Sequence, residues 1–154
     1  MIILGIDPGF AIVGYGLIEK RKKGDKPILL DYGCILTSSK QDFSDRIIEV
    51  YTQLKKIIHE YRPEVMAIET LFFARNTKTA LNVSKMTGVI LLLARQEGLK
   101  VVEVRPNEVK QSLTGFGRAD KKQMQRMIQI IFRLDELPTP DDAADALAVA
   151  LAIC

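Results

Sequence analysis

Short apolar runs alternate with turn signals over the first forty residues of the chain. Residues 2–7 form one run, which ends at Pro8-Gly9, and residues 12–19 and 28–37 form two more. Runs of this length between turn residues are typical of buried strands. The charged segment from Lys20 to Lys26, which contains Gly24-Asp25, indicates a hairpin turn. Three strands joined by short turns predict an antiparallel meander.

The period of the apolar positions then changes to about 3.6 residues, as on one face of an amphipathic helix. The positions that carry this period are Ile47, Tyr51, Leu54, Ile58 and Tyr61. Pro63 lies just beyond the helix, and residues 65–68 form a short buried strand that ends at Glu69. A second helix is predicted from about residue 76 to residue 97, with Gly98 as its stop signal.

The last third of the chain predicts one more strand and three helices. Residues 101–104 form the strand, and Pro106 opens a short helix through about Leu113. Asp120 and Gln123 resemble a capping box at the start of a further helix. Asp141 to Ile153 predict a final, Ala-rich helix, whose small side chains would allow a close approach to a sheet.

The order of these elements predicts the fold class. We expect an α/β protein with a five-stranded mixed sheet, in which the first three strands are antiparallel and the other two are parallel to strand one. Helices are expected to flank the sheet. The 154 residues contain no repeat, linker or low-complexity segment, so we predict one domain spanning residues 1–154.

Composition adds only broad bounds. The net charge is +3, so charge alone does not require a nucleic-acid partner. The two cysteines, Cys34 and Cys154, have no metal-type spacing and fit a reducing compartment. The first residues lack the pattern of a signal peptide, and the longest apolar stretch is too short to cross a membrane. We therefore predict a cytoplasmic protein without membrane association.

Acidic residues lie where apolar runs end or begin. Asp7 ends the first strand, Glu69 ends the fourth, and Asp142 and Asp145 share one face of the last helix. Carboxylates in such places are costly unless a cation compensates them, and hard cations such as Mg²⁺ prefer oxygen ligands. If the two strands are parallel neighbours, both acids emerge at one edge of the sheet. The pattern therefore predicts a divalent-metal site that supports phosphoryl-transfer chemistry.

Two alternatives remain open for these acids. Each could be a structural carboxylate, and those at the helix start could simply favour the helix dipole, although Asp145 lies too deep in the helix for capping. Asp141 is four residues before Asp145 and could replace Asp142 on spacing alone. The joint placement of the acids, rather than any one position, favours the metal site.

Aromatic and basic residues follow the acids along the chain. Phe72 and Phe73 lie just after Glu69 and could stack on a base, or could instead close the core. Phe116, between two glycines, is a further aromatic candidate. Basic side chains suited to phosphate are Arg75, Lys78, Lys110, Arg118, Lys121 and Lys122. The last two open a helix, where the dipole disfavours cations, so phosphate is a candidate for what compensates them.

Three motifs carry a specific resemblance. They are Gly-Ile-Asp-Pro-Gly-x-x-x-x-Gly-Tyr-Gly, Ala-Ile-Glu-x-x-Phe-x-x-x-Asn and Asp-Ala-Ala-Asp-Ala-Leu-Ala, from residue 2 to about residue 153. Their content, order and spacing closely resemble the RuvC family of Holliday-junction resolvases. The resemblance implies a ribonuclease H-like fold and an endodeoxyribonuclease that cuts four-way DNA junctions by paired symmetric nicks in homologous recombination and repair.

The resemblance also implies roles, a cofactor and partners. Asp7, Glu69, Asp142 and Asp145 fall on the catalytic, metal-binding acids of the family. Phe72 falls on its base-stacking aromatic position, and Lys110 and Lys121 fall on basic positions of the pattern. The implied cofactor is Mg²⁺, two ions per site, with Mn²⁺ as a substitute. The implied partners are four-way junction DNA, a second copy of the chain and the RuvA–RuvB branch-migration complex.

Three other functions compete with this one. A related ribonuclease H-like nuclease could act on RNA, and a catalytically silent module could only bind junctions, although the complete set of acids argues against the silent module. An ATP-binding fragment of the actin-like fold is excluded by length, because that fold needs two such domains.

Overall fold

Five strands form one mixed sheet in the computed structural model of the chain, which describes residues 1–22, 24–70 and 77–154, with side chains from residue 79 in the last segment. The strands are β1 (Ile2–Asp7), β2 (Ile12–Glu19), β3 (Ile28–Leu36), β4 (Val65–Glu69) and β5 (Lys100–Val104). Their order across the sheet is β3-β2-β1-β4-β5. The strand at the centre is therefore the first in the sequence.

The pairing of the strands confirms the predicted directions. β1 pairs with β2 and β2 pairs with β3 in antiparallel fashion. β4 is parallel to β1 on its other side, and β5 is parallel to β4. The carboxyl ends of β1, β4 and β5 consequently meet at one edge of the sheet, which we call the carboxyl edge.

Helices cover both faces of this sheet. They are α1 (Phe43–Tyr61), α2 (Thr77–Gln96), α3 (Pro106–Thr114), α4 (Lys121–Phe132) and α5 (Asp141–Ala152). The first two pack with Leu4 and Ile6 in one hydrophobic core, and the other three pack with Ile3 and Ala67 in a second. None of the helices in the described ranges is both long enough and apolar enough to cross a membrane.

Helix α1 confirms the amphipathic helix expected from the sequence and adds a charged residue to its buried face. The helix begins at Phe43, four residues before the first periodic position, after an Asp42 whose side chain makes no capping hydrogen bond. Its buried positions are Arg46, Val50, Leu54 and Ile58, which follow a spacing of four. Leu54 and Ile58 lie on the expected face, and Ile47, Tyr51 and Tyr61 pack partly buried against the same core, so Arg46 and Val50 are its additional members.

The last helix lies unusually close to the sheet, as its alanines predict. A Cβ added at Gly5 in β1 would lie 2.1 Å from the carbonyl oxygen of Ala146, and one added at Gly14 in β2 would lie 2.0 Å from that of Asp142. Such distances are far below van der Waals contact, so only glycine fits at either position. The glycines of β1 and β2 thus set the distance between α5 and the sheet.

Candidate active site

Asp7 and Glu69 lie side by side at the carboxyl edge. β1 and β4 are parallel neighbours with Ile6 opposite Ile68, so the next residue of each strand is one of the two acids. Asp7 is still paired with Gly14 of β2, so its backbone is held within the sheet. The predicted juxtaposition of these carboxylates is therefore present.

The first two turns of α5 bring a second pair of acids to the same place. The carbonyl of Asp142 rests against Gly14, which is the pairing partner of Asp7. Asp145 lies one turn further along the helix and lines a cleft together with Glu69. The close approach of α5 to glycine thus places acids from near both ends of the chain at the carboxyl edge.

The pKa of Asp7 shows how strongly the acids interact. Burial, followed by the negative charges of Glu69, Asp145 and Asp142 in that order, raises the pKa of Asp7 from 3.8 to about 7, whereas Lys121 opposes the rise. The other three predicted acids are therefore within electrostatic reach of Asp7. A buried carboxyl surrounded by like charges keeps its proton unless a cation compensates it.

Two other acids of the cluster are perturbed in the same direction. Burial, followed by the charge of Asp145, raises the pKa of Glu69, and Lys110 counteracts this rise. Burial also raises the pKa of Asp145, against a hydrogen bond from Lys121. Several carboxyls that resist ionisation in one cleft are typical of functional sites rather than of stabilising ion pairs.

In metal-free buffer, the free energy of unfolding is expected to fall as the pH rises from about 4 to about 7. A carboxyl whose pKa is raised on folding binds more protons in the folded state over this range, so each unit of pH costs up to about 1.4 kcal/mol per group. Asp7→Asn is expected to flatten the fall. Urea denaturation of both proteins in EDTA at several pH values measures the free energy of unfolding. If this free energy changes equally with pH in the two proteins, the pKa of Asp7 is not raised.

Asp141 is held apart from the other acids. This bears on the alternative that Asp141, rather than Asp142, belongs to the acid cluster. One of its oxygens accepts a hydrogen bond of 2.8 Å from the buried Gln125, and the other lies 3.2 Å from Nζ of Lys121. The hydrogen bond from Lys121, followed by that from Gln125, lowers the pKa of Asp141. Because its carboxylate is already compensated within the chain, Asp142 is the better candidate for the acid cluster.

Lys121 has partners other than the phosphate suggested by its place in the sequence. Its Nζ lies 3.2 Å from Asp141 and 3.1 Å from Asp145. Partial burial works against its charge, but the hydrogen bonds to these two carboxylates outweigh that effect and raise its pKa. These carboxylates explain a cation in the first turn of α4 without any ligand.

A cleft of about 300 Å³ collects two of the acids and two of the predicted basic residues. The side chains that line it and carry charge are Glu69, Lys110, Lys121 and Asp145, and α3, α4 and α5 supply an apolar wall. Both lysines influence the carboxyls, Lys110 through Glu69 and Lys121 through Asp145. The cleft therefore pairs oxygen donors with cations, as a site for a phosphodiester requires.

The remaining predicted contacts are distributed around this cleft or lie outside the description. Arg118 and Lys122 are exposed near the start of α4, and Phe116 between α3 and α4 is 75% exposed. Phe72, Phe73 and Arg75 lie outside the described residues, as does the side chain of Lys78. Their predicted roles stay predictions.

The donor chemistry of the cluster fits a hard divalent cation. Carboxylate oxygens are the ligands that Mg²⁺ prefers, and the raised pKa values of Asp7, Glu69 and Asp145 indicate negative charge that a cation would offset. Within the described ranges, no three His, Cys, Asp or Glu side chains already converge on a single metal position.

Sequence reasoning missed two polar residues near the site. Gln125 is buried and binds Asp141, and Arg46 is buried beneath the turn that follows Asp7. Gln125 lies between Met124 and Arg126 in the sequence, which gave no signal of its own. A cation in the first turn of α1, where the helix dipole disfavours it, was the available signal for Arg46.

Comparisons with known proteins give a consistent result. A family model described as crossover junction endodeoxyribonuclease RuvC matches residues 3–154. The crossover junction endodeoxyribonuclease RuvC of Halothermothrix orenii is 50% identical over 151 residues, which are 98% of this chain and 90% of the relative. The structure of Thermus thermophilus RuvC in complex with Holliday junction substrate matches with a TM-score of 0.93 at 34% identity, over 99% of this chain and 92% of the other.

More distant structures share the fold. The yeast mitochondrial Holliday junction resolvase Ydc2 has a TM-score of 0.70 at 15% identity, with 97% of this chain and 76% of the other covered. The five-stranded mixed sheet with flanking helices is thus the ribonuclease H-like fold expected from the motifs.

Proposed function

The chain belongs to the RuvC family of crossover junction endodeoxyribonucleases, and on this premise we propose that it resolves four-way DNA junctions by metal-dependent hydrolysis of phosphodiester bonds. The observation that carries the proposal is the electrostatic coupling of Asp7 to Glu69, Asp145 and Asp142 at one edge of the sheet. Coupled, partly buried carboxyls have no evident value for stability, since they repel one another. They are valuable where cations and a phosphate must be bound together.

We assign metal binding and catalysis to Asp7, Glu69, Asp142 and Asp145. These side chains would hold divalent cations, Mg²⁺ in the first instance and two per site, which supply activation of a water and stabilisation of the leaving 3′-oxygen. The pKa of Asp7 is raised to about 7 and the residue ends the central strand, so it would be the central member of this acid set. Lys110 and Lys121 line the same cleft and would stabilise charge on the scissile phosphate.

The surface around this cleft is proposed to bind the junction. Exposed Arg118 and Lys122 continue the positive charge of Lys110 and Lys121 along the loop between α3 and α4. Contacts with phosphates supply most of the affinity of such surfaces. The family resemblance adds stacking by Phe72, and the sequence pattern adds Phe73, Arg75 and Lys78, which also follow Glu69 in the sequence.

The test of this function compares three substrates. With Mg²⁺, the protein is expected to nick a synthetic four-way junction at least about 100-fold faster than a linear duplex of the same sequence, because only the junction presents the recognised shape. An RNA–DNA hybrid is the third substrate. Preferential cleavage of the hybrid would favour the ribonuclease alternative, and binding of the junction without cleavage at any Mg²⁺ concentration would favour the silent module.

A homodimer is proposed because one chain carries one acid cluster and a junction needs two incisions. A two-fold axis relates both the arms of a junction and the subunits of a dimer. The exposed face of α2 offers an apolar contact, since Leu81 is 59% and Leu92 is 55% exposed and both lie on one helical face with Gly88. Exposed leucines on one face of a helix are typical of an interface.

Gly88→Leu is expected to shift the protein from dimer to monomer and to uncouple the two nicks. A Cβ at Gly88 would meet nothing within 4 Å among the described residues, so the added side chain is expected to act through the contact with the second copy. Sedimentation measures the oligomeric state, and a cruciform plasmid distinguishes linear product from nicked circles. A variant that stays dimeric and still linearises the plasmid would place the interface elsewhere.

Further parts of the proposal rest on the family and on the sequence pattern. We propose a single nuclease domain over residues 1–154, cooperation with the RuvA–RuvB branch-migration complex, and a cytoplasmic location. The location is supported by two half-buried cysteines, Cys34 and Cys154, that form no disulfide.

A further inference from the structure

Arg46 is one of two polar or charged side chains that are buried among the described residues, and the other is Gln125. It lies in the first turn of α1, where the helix dipole disfavours a cation, and burial of a charge adds a further cost. No carboxylate of the described residues lies within 4.0 Å of its guanidinium. The contacts of the guanidinium must therefore explain why an arginine occupies this buried position.

The guanidinium joins three elements at the carboxyl edge. Nη2 of Arg46 donates a hydrogen bond of 2.9 Å to the carbonyl of Phe10, and its planar group lies 4.5 Å from the centre of the Phe10 ring. Nε of Arg46 donates one of 2.8 Å to Oγ1 of Thr37, which follows β3. The Thr37 hydroxyl in turn donates one of 2.9 Å to the Phe10 carbonyl. The network is closed, and each member fixes the other two.

The segment held by this network is the turn that follows Asp7. Residues 8–11 connect β1 to β2, and a Cβ at Gly9 would lie 2.0 Å from the carbonyl oxygen of Ile12, so the turn is tight. The amide of Thr37 adds a hydrogen bond of 2.9 Å to Ala11. A shift of the turn would therefore move the end of β1, and with it the carboxylate of Asp7.

We propose that Arg46 is a positioning residue for Asp7, acting through Phe10 and Thr37 and not by contact with metal or DNA. This inference rests on the proposed function, because it assigns Asp7 to the metal site. The guanidinium suits the task since its planar fork donates in two directions while its face stacks on an aromatic ring, which a lysine ammonium does not reproduce. Groups that orient metal ligands from outside typically change metal affinity or activity by about 10- to 100-fold when lost.

Thr37→Val is the most direct test, because it removes the hydroxyl from a half-buried side chain while its shape is kept. We expect the Mg²⁺ concentration for half-maximal single-turnover cleavage to rise about tenfold or more. Amide hydrogen exchange of residues 9–12 should accelerate, and junction affinity in EDTA should stay within about twofold. Arg46→Lys should give the same changes in Mg²⁺ dependence and hydrogen exchange. Thr37→Ser, which retains the hydroxyl, should behave as wild type.

Thr87→Val is the matched control, since its hydroxyl also donates to a backbone carbonyl, that of Val83 in α2, far from the acids in the sequence. It should leave the Mg²⁺ dependence unchanged. An unchanged Mg²⁺ dependence of cleavage in Thr37→Val would overturn the positioning role, and so would an equal shift of that dependence in Thr87→Val. If Arg46→Lys does not fold, the result for Thr37→Val alone decides. If wild type cleaves no junction, the proposed function fails, and hydrogen exchange of residues 9–12 then decides whether the network holds the turn.

Discussion

Replacing Asp7 with Asn is expected to lower the rate of junction cleavage by about 10³-fold or more while junction affinity is kept or raised. The substitution removes the proposed metal ligand that is coupled to the other three acids, and loss of such a group typically removes most of the rate. Affinity is kept because a negative charge near the DNA phosphates disappears. Single-turnover cleavage at saturating Mg²⁺ and equilibrium binding in EDTA measure the two effects separately.

Asp141→Asn is the matched control for this result. Asp141 precedes Asp142 directly, yet Gln125 and Lys121 already satisfy its carboxylate. Its substitution should lower the cleavage rate by no more than about tenfold, as expected for a group outside the metal site. Substantial cleavage by Asp7→Asn, or an equal loss in Asp141→Asn, would show that the acids are assigned wrongly.

Gly14→Ala is expected to reduce both stability and activity, although the substitution adds only one methyl group. The new Cβ would lie 2.0 Å from the carbonyl oxygen of Asp142, so α5 must move away from the sheet. Overpacking against a backbone costs about 1–3 kcal/mol or more. Since the same movement displaces Asp142 and Asp145 from Asp7, cleavage should fall about 100-fold even where the protein is fully folded.

Urea denaturation and single-turnover cleavage of the same samples measure the two losses. Gly117→Ala is the control, because a Cβ there meets its nearest neighbour, the carbonyl oxygen of Asn107, at an ordinary 3.6 Å. Its stability should remain within about 1 kcal/mol of wild type. If the Gly14→Ala protein unfolds at the same urea concentration as wild type and cleaves at the same rate, the glycine does not set the distance between α5 and the sheet.

Much of the fold follows from local patterns in the sequence. Apolar runs between turn residues located all five strands, and the capping box at Asp120 and Gln123 located the start of α4, where both reciprocal hydrogen bonds are present. The alanines of α5 predicted its close approach to the sheet. These features could be predicted because each depends on residues adjacent in the chain or on one face of one element.

Interactions between distant elements could not be predicted in this way. No sequence signal marked the start of α1, since Asp42 provides no side-chain cap, and the burial of Arg46 was not expected because it depends on partners 9 and 36 residues away. The partners of Lys121 were likewise invisible, since they belong to α5. Periodicity reports which face is apolar, whereas these contacts depend on how the elements are assembled.

The acid cluster was predictable for a different reason. Asp7 and Glu69 each end an apolar run, and the parallel arrangement of β1 and β4 brings such ends together. What the sequence did not reveal was the state of the acids, in which Asp141 is compensated and Asp7 is not. That distinction depends on burial and on the reach of Lys121 and Gln125, which are properties of the folded chain.

The packing of α5 against β1 and β2 also has a consequence for the order of events during synthesis. β1 is made first and α5 last, so the acids at positions 7 and 142–145 meet only after nearly the whole chain has left the ribosome. A contact between such distant segments is among the slow steps of folding. A fragment that ends before residue 141 lacks α5 and with it two of the four acids, so it is expected to cleave no junction even where its sheet has formed.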